Sequence, residues 1–520
     1  MHGPIGPPSA AAEGGWTLPR FEFRRSTGVY VFAVGRWMVL QSRVTSPDVF
    51  TFAPSAEASR GVLRADAGFA NAETVEALLQ NSKLQEAIRG QVIWIDEAGL
   101  LGAPALARVA ALAEKQNCRI VLSGDTAQHR AVERGDALRI LENHADLHAV
   151  ELKEIWRQKA DSHKAVVADL RAGDLERAFK QLDKLGMLRE LAPEDRHEAL
   201  AADYVSAVEK GKSALVISPT HVEGERVTTR IRERLREGGK LRGEEREFVQ
   251  LKNLQWTEAQ RSDALNYQQD MVIQFHQNLP GFRRGERMKV KRRNGQDVEV
   301  ERENGKAALL PLDKAARFQV YESRTIALTA GDMVRITQNG FTRDKQRLNN
   351  GDLKEVKGFT PDGDITLANG WVVSKDYGNL THGYCVTSYT SQSKSVDCVF
   401  VAESSESFRA ADRQQFYVSA SRFKQALTIY TDDKFSLLDA VSKSSARPSA
   451  MDLVKGQLAD SPAQTVADKE PVQRTPDDAA VKEAQRRAWI EEIQERAARH
   501  QMWQKTQNRG RQAPDRGISM

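Results

Sequence analysis

An apolar run, Val92-Ile93-Trp94-Ile95, stops at two consecutive carboxylates, Asp96 and Glu97. At the end of a buried strand such a pair suits hydrolysis of a phosphate anhydride: one acid holds a divalent cation and the other takes the proton of an attacking water. Taken alone, the pair suits the acidic first turn of a helix equally well. A second apolar run, Arg119-Ile120-Val121-Leu122, stops at Ser123-Gly124-Asp125 and is followed by Gln128, a side chain able to sense a phosphate. Trp156-Arg157-Gln158 sets an arginine behind an aromatic residue, and Tyr417-Val418-Ser419-Ala420-Ser421-Arg422 supplies another far downstream. Guanidinium groups suit phosphate because they stay charged and bind its oxygens bidentately.

Such residues need a scaffold that brings strand ends together. From Asp48 onward, short apolar strands alternate with helical stretches: strands at 49–53, 92–95 and 119–122, helices at 72–80, 84–88 and 104–115. That alternation predicts a parallel sheet covered on both faces, with ligands at the carboxyl ends of its strands. A second set follows, with helical stretches at 162–182 and 204–209 and a strand, Ala214-Leu215-Val216-Ile217, that ends in Ser218-Pro219-Thr220-His221. Between 243 and 375 the texture changes to short β pieces with Gly/Asn turns such as Asn349-Asn350-Gly351-Asp352, the pattern of a small inserted β-barrel. The α/β pattern resumes with strands near 384–387, 396–401 and 426–430 and a helix near 413–421.

The chain has 520 residues, 40% hydrophobic and 28% charged, enough for roughly three to four compact units. Lys+Arg 76 against Asp+Glu 71 leaves a net charge of +5, too small to argue for a polyanionic partner by itself. Cys118, Cys385 and Cys398 form no CxxC pair, which excludes a disulfide framework and a cysteine-rich zinc site and fits a reducing cytoplasm. The longest apolar stretch, 28–40, is broken by Arg36, so no membrane-spanning helix is expected; Val29 to Val34 reads as a strand or an irregular segment. Residues after 442 turn to Ser, Ala, Pro and Asp and read as a linker, followed by a helix over 481–501 with Trp489, Ile493 and Ala497 on one face.

Six motifs in this order resemble those of superfamily 1 helicases of the RecD-like branch, most closely the helicase part of TraI/TrwC-like conjugative relaxases. Ala53-Pro54-Ser55-Ala56-Glu57-Ala58-Ser59-Arg60-Gly61 is similar to motif Ia, Ile95-Asp96-Glu97-Ala98-Gly99 to Walker B, and Gly124-Asp125-Thr126-Ala127-Gln128 to motif III. Trp156-Arg157-Gln158 is similar to motif IV, Thr387-Ser388-Tyr389-Thr390-Ser391-Gln392 to motif V, and the segment 417–422 to motif VI. The resemblance covers residues 48–433. It implies an α/β fold with two RecA-like parallel-sheet lobes, the first incomplete, an SH3-like β-barrel insert and a flexible C-terminal tail. It further implies ATP and Mg²⁺ as cofactors, with Asp96 on Mg²⁺, Glu97 activating water, Gln128 sensing phosphate, and Arg157 and Arg422 as arginine fingers. A single DNA strand is implied along Pro54, Ser55, Thr220, His221, Ser388, Ser391 and Gln392. Hydroxyls, amides and helix N-termini grip phosphates without reading sequence. Motif V departs from the family's Ser-Gln-Gly, with Ser393 where a left-handed glycine would stand. The expected domains are an atypical segment 1–47, the first lobe 48–150, the second lobe 151–242 and 376–440, the insert 243–375 and the tail 441–520.

The phosphate-cradling loop G-x-x-x-x-G-K-[ST] is missing. Gly211-Lys212-Ser213 has Ser206 in place of the first glycine and precedes a strand, and no lysine occurs before Asp48. No H-x-H pair offers the histidine cluster of a relaxase. These absences suggest a fragment that begins downstream of the loop, and two functions. One is a helicase/ATPase module for DNA unwinding in conjugation, inactive alone, in a bacterial cytoplasm, with conjugation-machinery proteins or a chain supplying the loop as partners. The other is a non-catalytic single-stranded DNA-binding or assembly protein. Trp256, Tyr267 and Phe341 are candidates for stacking on bases.

Overall fold

A computed structural model describes residues 29–33, 48–145, 149–151 and 154–444. The helix expected over 481–501, with Trp489, Ile493 and Ala497, lies outside the described residues, as do Leu152 and Lys153 and the Pro/Gly-rich start.

The first lobe is built on six strands: β1 (Val29–Ala33), β2 (Val49–Ala53), β3 (Glu73–Thr74), β4 (Val92–Ile95), β5 (Arg119–Ser123) and β6 (Ala149–Glu151). They lie in the order β3-β2-β4-β5-β1-β6, and every pairing is parallel. The β-branched runs of β2, β4 and β5 are what a sheet buried on both faces requires. Phe52, Ile93, Ile95 and Leu122 are wholly buried and pack with Leu106, Val109 and Leu112 of the helix Ala103–Lys115, which starts at Gly102 with Pro104 in its first turn. Each such side chain contributes about 1.5–3 kcal/mol of burial.

Segment 29–33, set apart from the first lobe by its sequence, is laid into this sheet between β5 and β6. Val29 to Phe32 pair with Ile120 to Ser123, and Val31 to Ala33 pair with Ala149 to Glu151. The segment expected to be atypical, 1–47, thus supplies a strand to the first sheet. Parallel partners this distant leave no local pattern in the sequence.

The second lobe carries a five-stranded parallel sheet in the order Cys385–Val386, Ala214–Ile217, Val396–Ala402, Phe423–Thr431, Leu188–Glu190. The helix His221–Glu237 starts at Thr220, whose hydroxyl accepts from the Glu223 N–H at 3.3 Å. Gly224 lets this helix lie close to the sheet: a Cβ there would stand 3.1 Å from the Cys385 Sγ.

Between Ala214–Ile217 and Cys385–Val386 the chain makes two larger antiparallel sheets, of six strands and of five, and a two-stranded one, where the sequence suggests one small barrel. Each of the two larger has its own core, one around Phe275, Phe318 and Val300, the other around Leu328, Val356 and Leu367. Short strands with Gly/Asn turns read alike whether they close into one sheet or two.

Candidate active site

β4 and β5 end side by side, which places both acidic stops at one mouth. Asp96 accepts from the Ser123 hydroxyl at 2.7 Å, and Ser123 in turn accepts from the Trp94 indole at 2.8 Å. Burial pushes the Asp96 carboxyl up to about 7, with the neighbouring Glu97 adding to the rise. An acid so destabilised as an anion is one that a divalent cation restores; this fits Mg²⁺, which binds one or two carboxylates and completes its shell with water and phosphate.

Glu97 sits in the left-handed region at φ 53°. Its two oxygens accept from the Gln392 amide at 3.2 Å and the Ser393 hydroxyl at 3.1 Å. Ser393 is itself left-handed, at φ 66°, as its place in motif V leads one to expect.

Motif VI closes the mouth from the other side. The helix Arg413–Ala420 is capped by Asp412 and ends just before Arg422, a wholly enclosed guanidinium. Arg422 donates to the Val418 backbone carbonyl at 2.9 Å, the Ser421 hydroxyl at 3.1 Å and the Gln128 side-chain amide oxygen at 3.1 Å, and makes no ion pair with a carboxylate among the described residues. Burial lowers its pKa, while Glu97 and Asp125 oppose the shift. The Gln128 amide donates to Asp125 at 3.2 Å, and Asp125 also takes the Tyr417 hydroxyl at 2.9 Å and lies 3.6 Å from Arg171. Arg157 reaches the same neighbourhood, donating to the Ser395 hydroxyl at 2.8 Å and the Ser421 carbonyl at 2.7 Å. Asp96, Glu97, Gln128, Arg157 and Arg422, spread over more than 300 residues of sequence, thus converge on one inter-lobe cleft.

The residues proposed for DNA divide into two groups. Thr220 and His221 line a cavity of about 260 Å³ with Arg335, Thr381, His382 and Thr387, at the junction of the second lobe and the insert. Pro54 is half-buried and Ser55 exposed; the Ser55 oxygen caps the wide helix Glu57–Asp66 by accepting from the Ala58 N–H at 3.1 Å. Ser388, Ser391 and Gln392 are buried. Ser388 bonds the His129 ring at 2.9 Å, Ser391 donates to the Ser388 carbonyl at 2.7 Å, and Gln392 holds Glu97. These three side chains are engaged inside the protein, Ser388 and Gln392 on contacts between the lobes and Ser391 within its own helix.

Of the aromatic candidates, Tyr267 is in the core of the insert with Trp256 edge-on against it at 5.3 Å, whereas Phe341 is exposed. Sequence reasoning missed Tyr389, which is half-exposed and stacks on His129 of the first lobe at 3.7 Å. Its position inside motif V was the available signal. Burial lowers the His129 pKa to about 4; Asp412 pulls it up and Arg422 pushes it further down. The unfolded chain therefore takes up this proton first as pH falls from about 6.5, and stability is lost progressively until pH 4, by on the order of 3 kcal/mol. Urea unfolding across that range is expected to show the decline, and His129→Gln to flatten it.

A family profile described as "AAA domain" matches residues 36–193. The multifunctional conjugation protein TraI of Escherichia coli strain K12 is 21% identical over 444 residues, which cover 74% of this chain and 24% of that protein. The conjugal transfer protein TraA of Agrobacterium fabrum is 23% identical over 373 residues, covering 71% of this chain and 27% of that protein. The chain thus spans about a quarter of the length of these relatives. A solved structure, that of Pif1 helicase from Bacteroides in complex with ADP-AlF3 and ssDNA, is 14% identical and covers 83% of this chain and 93% of its own, with a TM-score of 0.38. Among the described residues no helix is long and apolar enough to cross a membrane. With parallel-sheet lobes that bring the acidic strand ends and motif VI together, an AAA-domain match over residues 36–193 and alignment over most of its length to conjugation proteins, the chain is similar to the helicase portion of TraI-like proteins.

Proposed function

We propose that this helicase-type module couples ATP hydrolysis to movement along single-stranded DNA in conjugative transfer, in the bacterial cytoplasm. The observation that carries the hydrolytic reading is the contact of Arg422 with Gln128 across the cleft: an enclosed cation without a carboxylate partner among the described residues, beside Glu97. Asp96 would hold Mg²⁺, which supplies charge neutralisation of the phosphates. Glu97 takes the proton of the attacking water, and Arg157 and Arg422 stabilise charge on the transferred phosphoryl group. The cavity of Thr220, His221 and Arg335 offers hydroxyls and a guanidinium to the DNA backbone, and Pro54 and Ser55 continue that path on the first lobe. The domain limits at 151, 243, 376 and 441 belong to the same proposal, with residues 29–33 added to the first lobe that otherwise runs from 48.

The absent G-x-x-x-x-G-K-[ST] favours a second reading, a non-catalytic single-stranded DNA-binding or assembly protein on the same fold. A DNA-stimulated ATPase assay on the purified chain separates them. Turnover that Glu97→Gln abolishes supports the motor; no turnover, with binding to single strands that weakens steeply with salt, supports the second.

A further inference from the structure

The segment Gln392-Ser393-Lys394 reaches the first lobe with three consecutive side chains. Gln392 and Ser393 each hold one oxygen of Glu97, at 3.2 and 3.1 Å, and Lys394 forms an ion pair with Glu57 on the helix that follows Pro54 and Ser55. A carboxylate oxygen can accept two hydrogen bonds, so each oxygen of Glu97 keeps a lone pair for water. The backbone at Ser393 is left-handed, a conformation that glycine adopts without strain and serine does not. Retained strain at a functional cleft points to a use for the side chain that causes it. Here that use is visible, because glycine has no hydroxyl to give Glu97.

We propose that Ser393 is a positioning residue for Glu97, fixing the water-activating carboxylate only while the second lobe is docked on the first. The inference rests on the hydrolytic reading above and reassigns the end of motif V from the DNA path to the general base. It also ties Glu97 to the DNA-side helix, since Lys394 holds Glu57 from the next position in the chain. An oriented base is worth more than a free one because the reacting atoms meet in fewer wrong geometries.

Two substitutions separate positioning from architecture. Ser393→Ala removes the hydroxyl and keeps the left-handed strain; Ser393→Gly removes both. If the hydroxyl positions Glu97, kcat for DNA-stimulated ATP hydrolysis falls about tenfold in both variants with KM for ATP unchanged. Their melting temperatures move apart, with Ser393→Gly the more stable. Kinetics that follow stability, with Ser393→Gly at or above the wild-type kcat, overturn the proposal. A thermal cycle with Glu97→Ala gives a readout that needs no turnover: the melting loss of Ser393→Ala is expected to shrink in the Glu97→Ala background, whereas additive losses overturn the proposal. A chain without turnover but with a coupled cycle refutes the hydrolytic reading and leaves the contact between Ser393 and Glu97 standing.

Discussion

Arg422→Ala is expected to lower DNA-stimulated ATP turnover by roughly 10³-fold or more, the low end of what an arginine finger contributes. Charge alone does not account for the size of the effect. The guanidinium is enclosed and fans its donors to Val418, Ser421 and Gln128, so it is held in place before any phosphate arrives. Arg422→Lys should recover little, because one ammonium cannot reach the Gln128 oxygen while also meeting the Val418 carbonyl and the Ser421 hydroxyl. Steady-state kinetics with an unfolding curve on each variant checks this. Turnover within tenfold of wild type in a folded Arg422→Ala chain would remove Arg422 from the catalytic set.

A chain that starts at Asp48 is expected to lose most of its soluble yield and to unfold at clearly lower urea. β1 is an interior strand, paired on one side with β5 through four register positions and on the other with β6 through three. Its removal leaves β6 without a neighbour and turns β5 into an edge. Each ladder hydrogen bond contributes about 0.5–1.5 kcal/mol net, so the total loss is on the order of 5 kcal/mol. That is comparable with the whole stability of a typical domain, about 5–15 kcal/mol. An exposed edge of this kind also invites pairing between chains. Soluble yield, size-exclusion behaviour and a urea titration of both lengths are the measurements, and an unchanged midpoint in the shorter chain would refute this role for β1.

The meeting of the two acidic strand ends was legible because those residues stand where apolar runs stop. Ile95-Asp96-Glu97 and Ser123-Gly124-Asp125 end neighbouring strands, and a parallel sheet brings such ends together whatever lies between. Arg157 and Arg422 were legible through motif order, though their meeting at Ser421 was not. The motif V hydroxyls were harder. Ser388 and Ser391 lie on a helix of a single turn, and the sequence does not say which side of that turn faces the other lobe. It is the inward side, where Ser388 meets His129. β1 was legible as a strand but not as a member of the first sheet, since its partners are set by crossover and not by local pattern. The two larger sheets of the insert were hidden for a related reason: strand spacing records turns, and not which strands share a core.

The turn Asn349-Asn350-Gly351-Asp352 bears on how far the insert is exchangeable. Glu57 of the first lobe pairs with Lys394 of the second and also lies against Gly351 of the insert, where φ is 98° and a Cβ would come within 2.6 Å of the Glu57 carboxylate. An insert that touched only its host lobe could be traded between relatives as a cassette joined at two crossings. This one abuts a side chain of the opposite lobe, so a transplanted insert has to bring to that point a residue that accepts φ 98°, and any side chain there has to swing the Glu57 carboxylate aside. Exchange of the insert is thereby coupled, through one left-handed turn, to the helix that carries Glu57 and its partner Lys394.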